Sequence, residues 1–398
     1  MLRLIITLSV VIKPWPGIYN EMIGFIWFII ILYSVAIGFI TLNMIWYRRR
    51  YNFTGENHDE SVVVIVPCKD SYEGMAQKLN TLLTQSYSNY QVIFVTGNPN
   101  DSANSVIKEA IADYPEKASL IINDSAPQHR SQKVHNQLFA LQKIKLGSCD
   151  ILVFADSDAS YPQDWLVHLI APLHNSDVGA TTGVFWLDEA QGAWAQTLAW
   201  AYNIQLVPTF ANPRLSYAWG GGMAVYEKYF YELGIDKIWQ NAVYDDLPFA
   251  LAVNADGKKI HFVPEIVNSP LRRTTWKECV DWIRRQLLAT RLYIPYYHLL
   301  VLALLAVPFL VILSPLLALL NSAWLWLLLL IPIRVVFGIL LCWDLKRPET
   351  IPYAIWDYLS LVMVAVGAIK SLFGNRITWA GITYELISPT ETHVIPKT

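Results

Sequence analysis

The feature that most constrains this chain is residues 23–47, IGFIWFIIILYSVAIGFITLNMIWY, which carry no formal charge and run directly into Arg48, Arg49 and Arg50. At about 1.5 Å rise per residue, a helix of this length exceeds the roughly 30 Å hydrocarbon core of a bilayer. Lipid offers the backbone no hydrogen-bond partners, so the stretch must satisfy itself as a helix. The three arginines place that end, and the residues after it, in the cytoplasm by the positive-inside tendency. The preceding LRLIITLSVVIKPWPG has the outline of a signal peptide without a small-x-small cleavage site, and is read as an interfacial or periplasmic lead-in.

A second apolar region begins near residue 297. HLLVLALLAVPFLVILSPLLALL, AWLWLLLLIPIRVVFGILLCW and YAIWDYLSLVMVAVGAIKSLF each read as a span. Neighbouring helices can accommodate Pro308 and Pro315. Three spans after a cytoplasmic domain would leave the C-terminus outside. Arg334 and Asp357 lie inside the last two spans, where an ionisable residue is costly. Either they pair with each other, or Asp357 lies at the interface, or they serve a lipid substrate.

The hydrophobic fraction of 54% beside a charged fraction of 16% fits membrane spans attached to an ordinary globular part. A net charge of −2 and the lack of an arginine-rich arm argue against nucleic acid as a partner. Cys68, Cys149, Cys279 and Cys342 form no CxxC pair, which argues against a zinc site or a disulfide framework.

Between the apolar regions, SVVVIVPCK, YQVIFVTG, ASLIIND and CDILVFADSD read as strands. GMAQKLNTLLTQ, SANSVIKEAIADY and SQKVHNQLFALQKI read as helices. This alternation predicts an α/β domain with a mainly parallel sheet and helices on both faces. The organisation expected is an N-terminal segment and span over 1–50 and a cytoplasmic domain over 51–270. An interfacial amphipathic helix over 271–296, three transmembrane helices over 297–374 and a C-terminal tail over 375–398 follow.

Ligands of open α/β sheets bind beyond the carboxyl ends of the strands. Asp156 and Asp158 stand at that end of the apolar run Ile151–Ala155. Two carboxylates so spaced can hold Mg2+ or Mn2+ against a diphosphate, because hard cations prefer oxygen ligands. Asp158 can equally cap the turn that follows. Gly220, Gly221 and Gly222 allow close backbone approach, to a ligand or in a tight turn. Asp245 and Asp246 open a helical stretch, as caps or, for Asp246, as a general base.

Taken in order, these motifs resemble an inverting nucleotide-sugar glycosyltransferase with the glycosyltransferase A-type fold. One span before the domain and a cluster after it resembles the ceramide glucosyltransferases and bacterial hopanoid-linked transferases. The likeness covers roughly residues 61–291, with a looser one in NRITWAGITYEL. It implies that Asp101 contacts uridine with Pro67 and Lys69 in the same pocket. Lys133 and Asn136 would lie near the nucleotide, although a solvated helix face accounts equally for Lys133. Asp156 would sit near the ribose and diphosphate, Asp158 would ligate the metal, and Asp246, beside Asp245, would be the base. Gly221 and Gly222 would border the substrate.

The family's (Q/R)-x-x-R-W motif is broken in DWIRRQLLATRLY, where Leu288 and Ala289 stand at the Arg and Trp positions. Arg284, Arg285 or Arg291 would then meet the diphosphate, with Gln286 nearby and Trp282 as the aromatic. A basic helix snorkelling to headgroups explains the same residues. The expected reaction is transfer of a hexose, with glucose favoured, from a uridine-diphosphate sugar to a lipid hydroxyl such as that of ceramide. The aromatic-rich segments 192–210 and 273–298 would be either a lipid portal or ordinary packing. A processive polysaccharide synthase and a catalytically silent membrane scaffold are the alternatives.

Overall fold

The computed structural model describes residues 16–51, 59–211 and 217–396. The lead-in over residues 1–15 lies outside them. Helix α1 (Pro16–Arg50) is apolar on all sides and ends in the three arginines. Phe28, Ile31, Val35 and Phe39 along it are largely exposed. A long helix with exposed bulky apolar residues is built for lipid.

The α/β domain follows in the order β1 (Val62–Pro67), α2 (Met75–Leu83), β2 (Tyr90–Thr96), α3 (Ala103–Ile111), β3 (Ala118–Ile122), α4 (Gln132–Lys143) and β4 (Ile151–Ala155). Next come α5 (Trp165–Ile170), β5 (Val178–Asp188), α6 (Ala193–Gln205), β6 (Gly222–Tyr226), α7 (Glu227–Glu232), α8 (Ile235–Ile238), α9 (Asp246–Ala255) and β7 (Lys259–Pro270). The sheet order is β3-β2-β1-β4-β6-β5-β7. The β1–β2, β2–β3, β1–β4 and β5–β7 pairs are parallel, and only β6 runs against its neighbours. The mainly parallel α/β fold expected from the sequence is therefore present.

β1 and β4 are apolar at nearly every position because helices cover both faces of the sheet. One face packs Val62, Val64, Phe94 and Val153 against α2, α3 and α5. The other packs Ile65, Leu152, Phe154 and Val225 against α4 and α9. The sequence reading missed β5 and β6. Their small residues and glycines, VGATTGVFWLD and GMAVY, carry neither period-2 alternation nor a run of β-branched residues.

Helix α10 (Trp276–Tyr293) opens on a capping box, in which the Thr275 side chain accepts from the Glu278 N–H and the Glu278 carboxylate accepts from the Thr275 N–H. Such a box satisfies two otherwise orphaned donors and contributes about 1 kcal/mol. α11 (Pro295–Leu317) comes next. A 3-10 stretch from Ser322 leads into α12 (Leu330–Asp344), and one from Pro348 leads into α13 (Asp357–Ser371). Among the described residues, Asn20–Arg50, Ser322–Asp344 and Pro348–Ser371 are long and apolar enough to cross a membrane. Arg48 and Arg49 both bind Asp344, at 2.8 and 2.7 Å, which ties the ends of α1 and α12 together. Arg334 and Asp357 do pair, at 2.9 and 3.0 Å through two guanidinium nitrogens, and Tyr33 of α1 accepts a third bond from Arg334.

Residues 375–398 are not a plain tail, because Arg376–Trp379, Ile382–Ser388 and Glu391–Ile395 form an antiparallel sheet, β8 to β10. This sheet docks on the α/β domain: Val394 N–H donates to Gln128 O at 3.0 Å and Gln132 N–H donates to the Tyr384 hydroxyl at 3.1 Å. The segment Pro348–Ser371 is also hydrogen-bonded to that domain and to α10. Thr350 accepts from Trp186, the Tyr353 hydroxyl from Ala190 N–H, Asp357 from Trp200 and the Lys370 carbonyl from Arg284.

Candidate active site

The site lies at the carboxyl ends of β1 and β4, where β6 enters. Lys133 of α4 stands at its centre. Its ammonium is 2.8 Å from Asp156 Oδ1 and 2.9 Å from Asp245 Oδ2, and donates to the Gly220 carbonyl at 3.2 Å. Lys133 is therefore not on a solvated helix face. Burial alone would depress its pKa, but Asp156 and Asp245 drive it above the ordinary lysine value. One cation thus joins Asp156, just after β4, to Asp245, just before α9.

The two aspartates of that pair differ. Asp245 is buried and also accepts from Gln137 Nε2 at 2.8 Å, while its backbone carbonyl accepts from the Trp239 indole at 3.1 Å. Asp246 is half-buried and accepts from Leu247 N–H at 2.7 Å. Burial, and then the Asp245 charge, push its carboxyl up to about 7, with Lys133 opposing. A carboxyl group poised near neutrality is matched to proton transfer at physiological pH. Gln137 escaped the sequence reading, although it lies four residues after Lys133 and so shares its helix face.

The triple glycine is dictated by this crowding. A Cβ on Gly220 would stand 2.5 Å from the Asp245 carboxylate, and one on Gly221 would stand 2.3 Å from Asp156 Oδ2. A Cβ on Gly222 would strike the Trp219 ring at 2.7 Å. The close approach is made by protein side chains that place the carboxylates.

Asp158 is exposed at the rim. No group of three or more His, Cys, Asp and Glu side chains able to hold a metal occurs among the described residues. Protein ligation would thus rest on the Asp156–Asp158 pair. That donor set suits Mg2+ or Mn2+, which bind through one or two carboxylates plus phosphate oxygens and water.

On the β1 side, Pro67 ends the strand and the Lys69 ammonium donates to the Ala380 carbonyl at the tip of the β8–β9 hairpin. Asp101 Oδ1 accepts from Asp70 N–H and Ala103 N–H, both at 2.9 Å, which fixes the two loops against each other. Asn136 is buried, and its Oδ1 accepts from Gln132 at 2.8 Å and from Asn123 at 3.4 Å. It belongs to the β3–α4 junction.

Helix α10 separates its arginines by task. Arg284 donates to the carbonyls of Lys370, Phe373 and Arg376, at 3.1, 3.1 and 2.8 Å. Arg291 donates to the carbonyls of Ser371 and Gly374, at 2.6 and 2.8 Å, and to Asn375. Both guanidinium groups hold the turn between α13 and β8. Arg285 instead faces the cleft. Burial lowers its pKa, and Tyr244, Asp246, Asp156 and Asp158 are near enough to oppose that. Its guanidinium lies over the Trp379 ring, 4.8 Å from the centroid. Trp282 is turned away and meets Tyr202 edge-on at 5.5 Å. Gln286 is half-buried on the same helix. Leu288 and Ala289 are buried with Ile377, Tyr384 and Leu386 of the C-terminal sheet, so the positions of the broken motif face a core.

The fold and site together are a mainly parallel α/β sheet with an acidic, lysine-bridged cleft at its carboxyl edge, joined to apolar helices of membrane-spanning length. The chain belongs to glycosyl transferase family 21, whose family model matches residues 26–391. It is a glycosyltransferase and a membrane protein. In three dimensions the chain is similar to the mannosyltransferase PcManGT from Pyrobaculum calidifontis in complex with GDP-Man and Mn2+. The TM-score is 0.48 at 17% identity, covering 87% of this chain and 98% of that one. It is also similar to GalNAc-T7 with UDP, GalNAc and Mn2+, with a TM-score of 0.42 at 16% identity, covering 56% of this chain and 48% of that one. No curated protein matches it in sequence.

Proposed function

We propose that this glycosyltransferase moves a hexose, with glucose favoured, from a uridine-diphosphate sugar to the hydroxyl of a membrane lipid such as ceramide, in one inverting displacement. The observation that carries this reading is the Lys133 bridge, which sets Asp156 beside Asp245, the chain neighbour of Asp246. Asp246 removes the proton of the acceptor hydroxyl as the oxygen attacks the anomeric carbon. Asp245, held by Lys133 and Gln137, keeps Asp246 raised. Arg285 takes charge on the leaving diphosphate. Asp156 and Asp158 would hold Mg2+ or Mn2+, which supplies Lewis-acid stabilisation of the diphosphate when bound. Lys69, Pro67 and Asp101 border the uridine. The acceptor class is supported by the lipid-type helices packed against the domain that carries the cleft.

The test incubates the full chain in detergent with uridine diphosphate glucose, Mg2+ or Mn2+, and ceramide, diacylglycerol or a hopanoid, with products read by mass spectrometry. A hexosyl-lipid is expected. Asp246→Asn should lower its rate by about 10²–10⁴-fold, and chelation should abolish it until a divalent ion is returned. Polymeric product would favour a processive synthase, and no turnover of any nucleotide sugar would favour a silent scaffold.

A further inference from the structure

The broken motif leaves Arg285 without the neighbouring aromatic that its own helix would supply, and the structure provides one from a distant part of the chain. Trp379 is the last residue of β8, immediately before the Ala380-Gly381 turn, where both residues have positive φ, 50° and 77°. Two successive left-handed residues make the tight turn whose twist matches a β-hairpin. The turn therefore fixes the backbone that carries the indole. Its tip is held by the bond from Lys69 to the Ala380 carbonyl, and its base by Arg284 and Arg291 on the preceding turn. Tyr384 and Ile377 seat the hairpin on Tyr244, Leu288 and Ala289. The hairpin is thus anchored on every side of the Arg285–Trp379 contact, whereas Arg285 itself is a long side chain with many rotamers.

A guanidinium over an indole face is attracted by the ring quadrupole, and more strongly where water is excluded. Stacking also leaves the planar edge of the guanidinium, with its donors, directed away from the ring. We propose that Trp379 is a positioning residue for the transfer reaction: its indole holds Arg285 in the orientation that meets the diphosphate of the donor. The C-terminal sheet is then part of the active site, although more than a hundred residues and the apolar helices separate it from the α/β domain in the sequence. This rests on the glycosyl-transfer reading above, in which Arg285 meets the leaving group.

The experiment is a double-mutant cycle on the full chain in detergent, with calorimetric binding of uridine diphosphate and of uridine, each with Mn2+. Trp379→Ala should weaken uridine diphosphate by roughly tenfold and leave uridine unchanged. Trp379→Phe, which keeps a π face, should recover most of the loss and controls for folding. In an Arg285→Ala background, Trp379→Ala should add nothing. The proposal is overturned if the two losses multiply independently, if uridine weakens as much as the diphosphate, or if Trp379→Ala binds like the native chain. If the native chain binds no nucleoside diphosphate, guanosine diphosphate included, the donor reading itself falls and takes the proposal with it.

Discussion

At the residue scale, two adjacent aspartates are made different by their surroundings. Asp245 faces Lys133 and Gln137 and is spent on them, while Asp246 is left with burial and a like charge. An ionised Asp246 is needed to accept a proton, so transfer should rise with pH through about 7 and fall below it. The matching stability effect has a definite sign. Between the ordinary carboxylate value near 4 and about 7, the folded state holds a proton on Asp246 that the unfolded state has released. Stability therefore drops as pH rises across that window. Asp246→Asn should flatten that drop in thermal melts run at several pH values. A variant whose melting profile keeps the native slope would refute the raised carboxyl.

At the scale of elements, one polar link between the apolar helices is the Arg334–Asp357 pair, which is almost fully buried and also bonded to Tyr33 and Trp200. A buried pair is a poor source of net stability, but breaking it strands a charge. Arg334→Leu alone should destabilise the folded chain by about 3–5 kcal/mol. Adding Asp357→Asn, which keeps an acceptor for the Trp200 indole, should recover much of that. Denaturation in detergent of the single and double variants measures both. Equal destabilisation in the two would mean that the pair does not matter as a pair. The sequence made this contact one of two options for Asp357, because an apolar span shows that a charge needs a partner without showing which face it occupies.

For the whole molecule, the bonds that run from Thr350 to Lys370 keep that segment against the α/β domain and α10, and the C-terminal sheet closes on the same domain. We expect α1 and the hairpin of α11 with the Ser322–Asp344 helix to cross the bilayer, and Pro348–Ser371 to lie along the interface. The four native cysteines are buried, which leaves room for introduced probes. Lys145→Cys in the α/β domain and Thr390→Cys in the C-terminal sheet should be labelled from one side of sealed vesicles. Leu319→Cys, exposed between α11 and the following helix, should be labelled from the other. Labelling of Thr390→Cys and Lys145→Cys from opposite sides would rule out the docked sheet.

What the sequence determined by itself is what local pattern and solvent dictate. Long uncharged runs must be lipid helices. Apolar runs alternating with amphipathic helices must stack as a parallel α/β sheet. Carboxylates at the end of β4 and before α9 fall on its ligand edge through connectivity alone. β5 and β6 stayed hidden because Gly179 of β5 is required by contacts with Tyr229, Val253 and Lys258, and Gly222 of β6 by the Trp219 ring, which no local pattern records. The assignment of the arginines was hidden for a related reason. Arg284, Arg285 and Arg291 share one helix and one composition, and only the arrival of residues 370–381 gives two of them carbonyls and the third an indole. Chemistry that depends on a partner far along the chain is decided when the chain closes, because side-chain direction and burial are properties of packing.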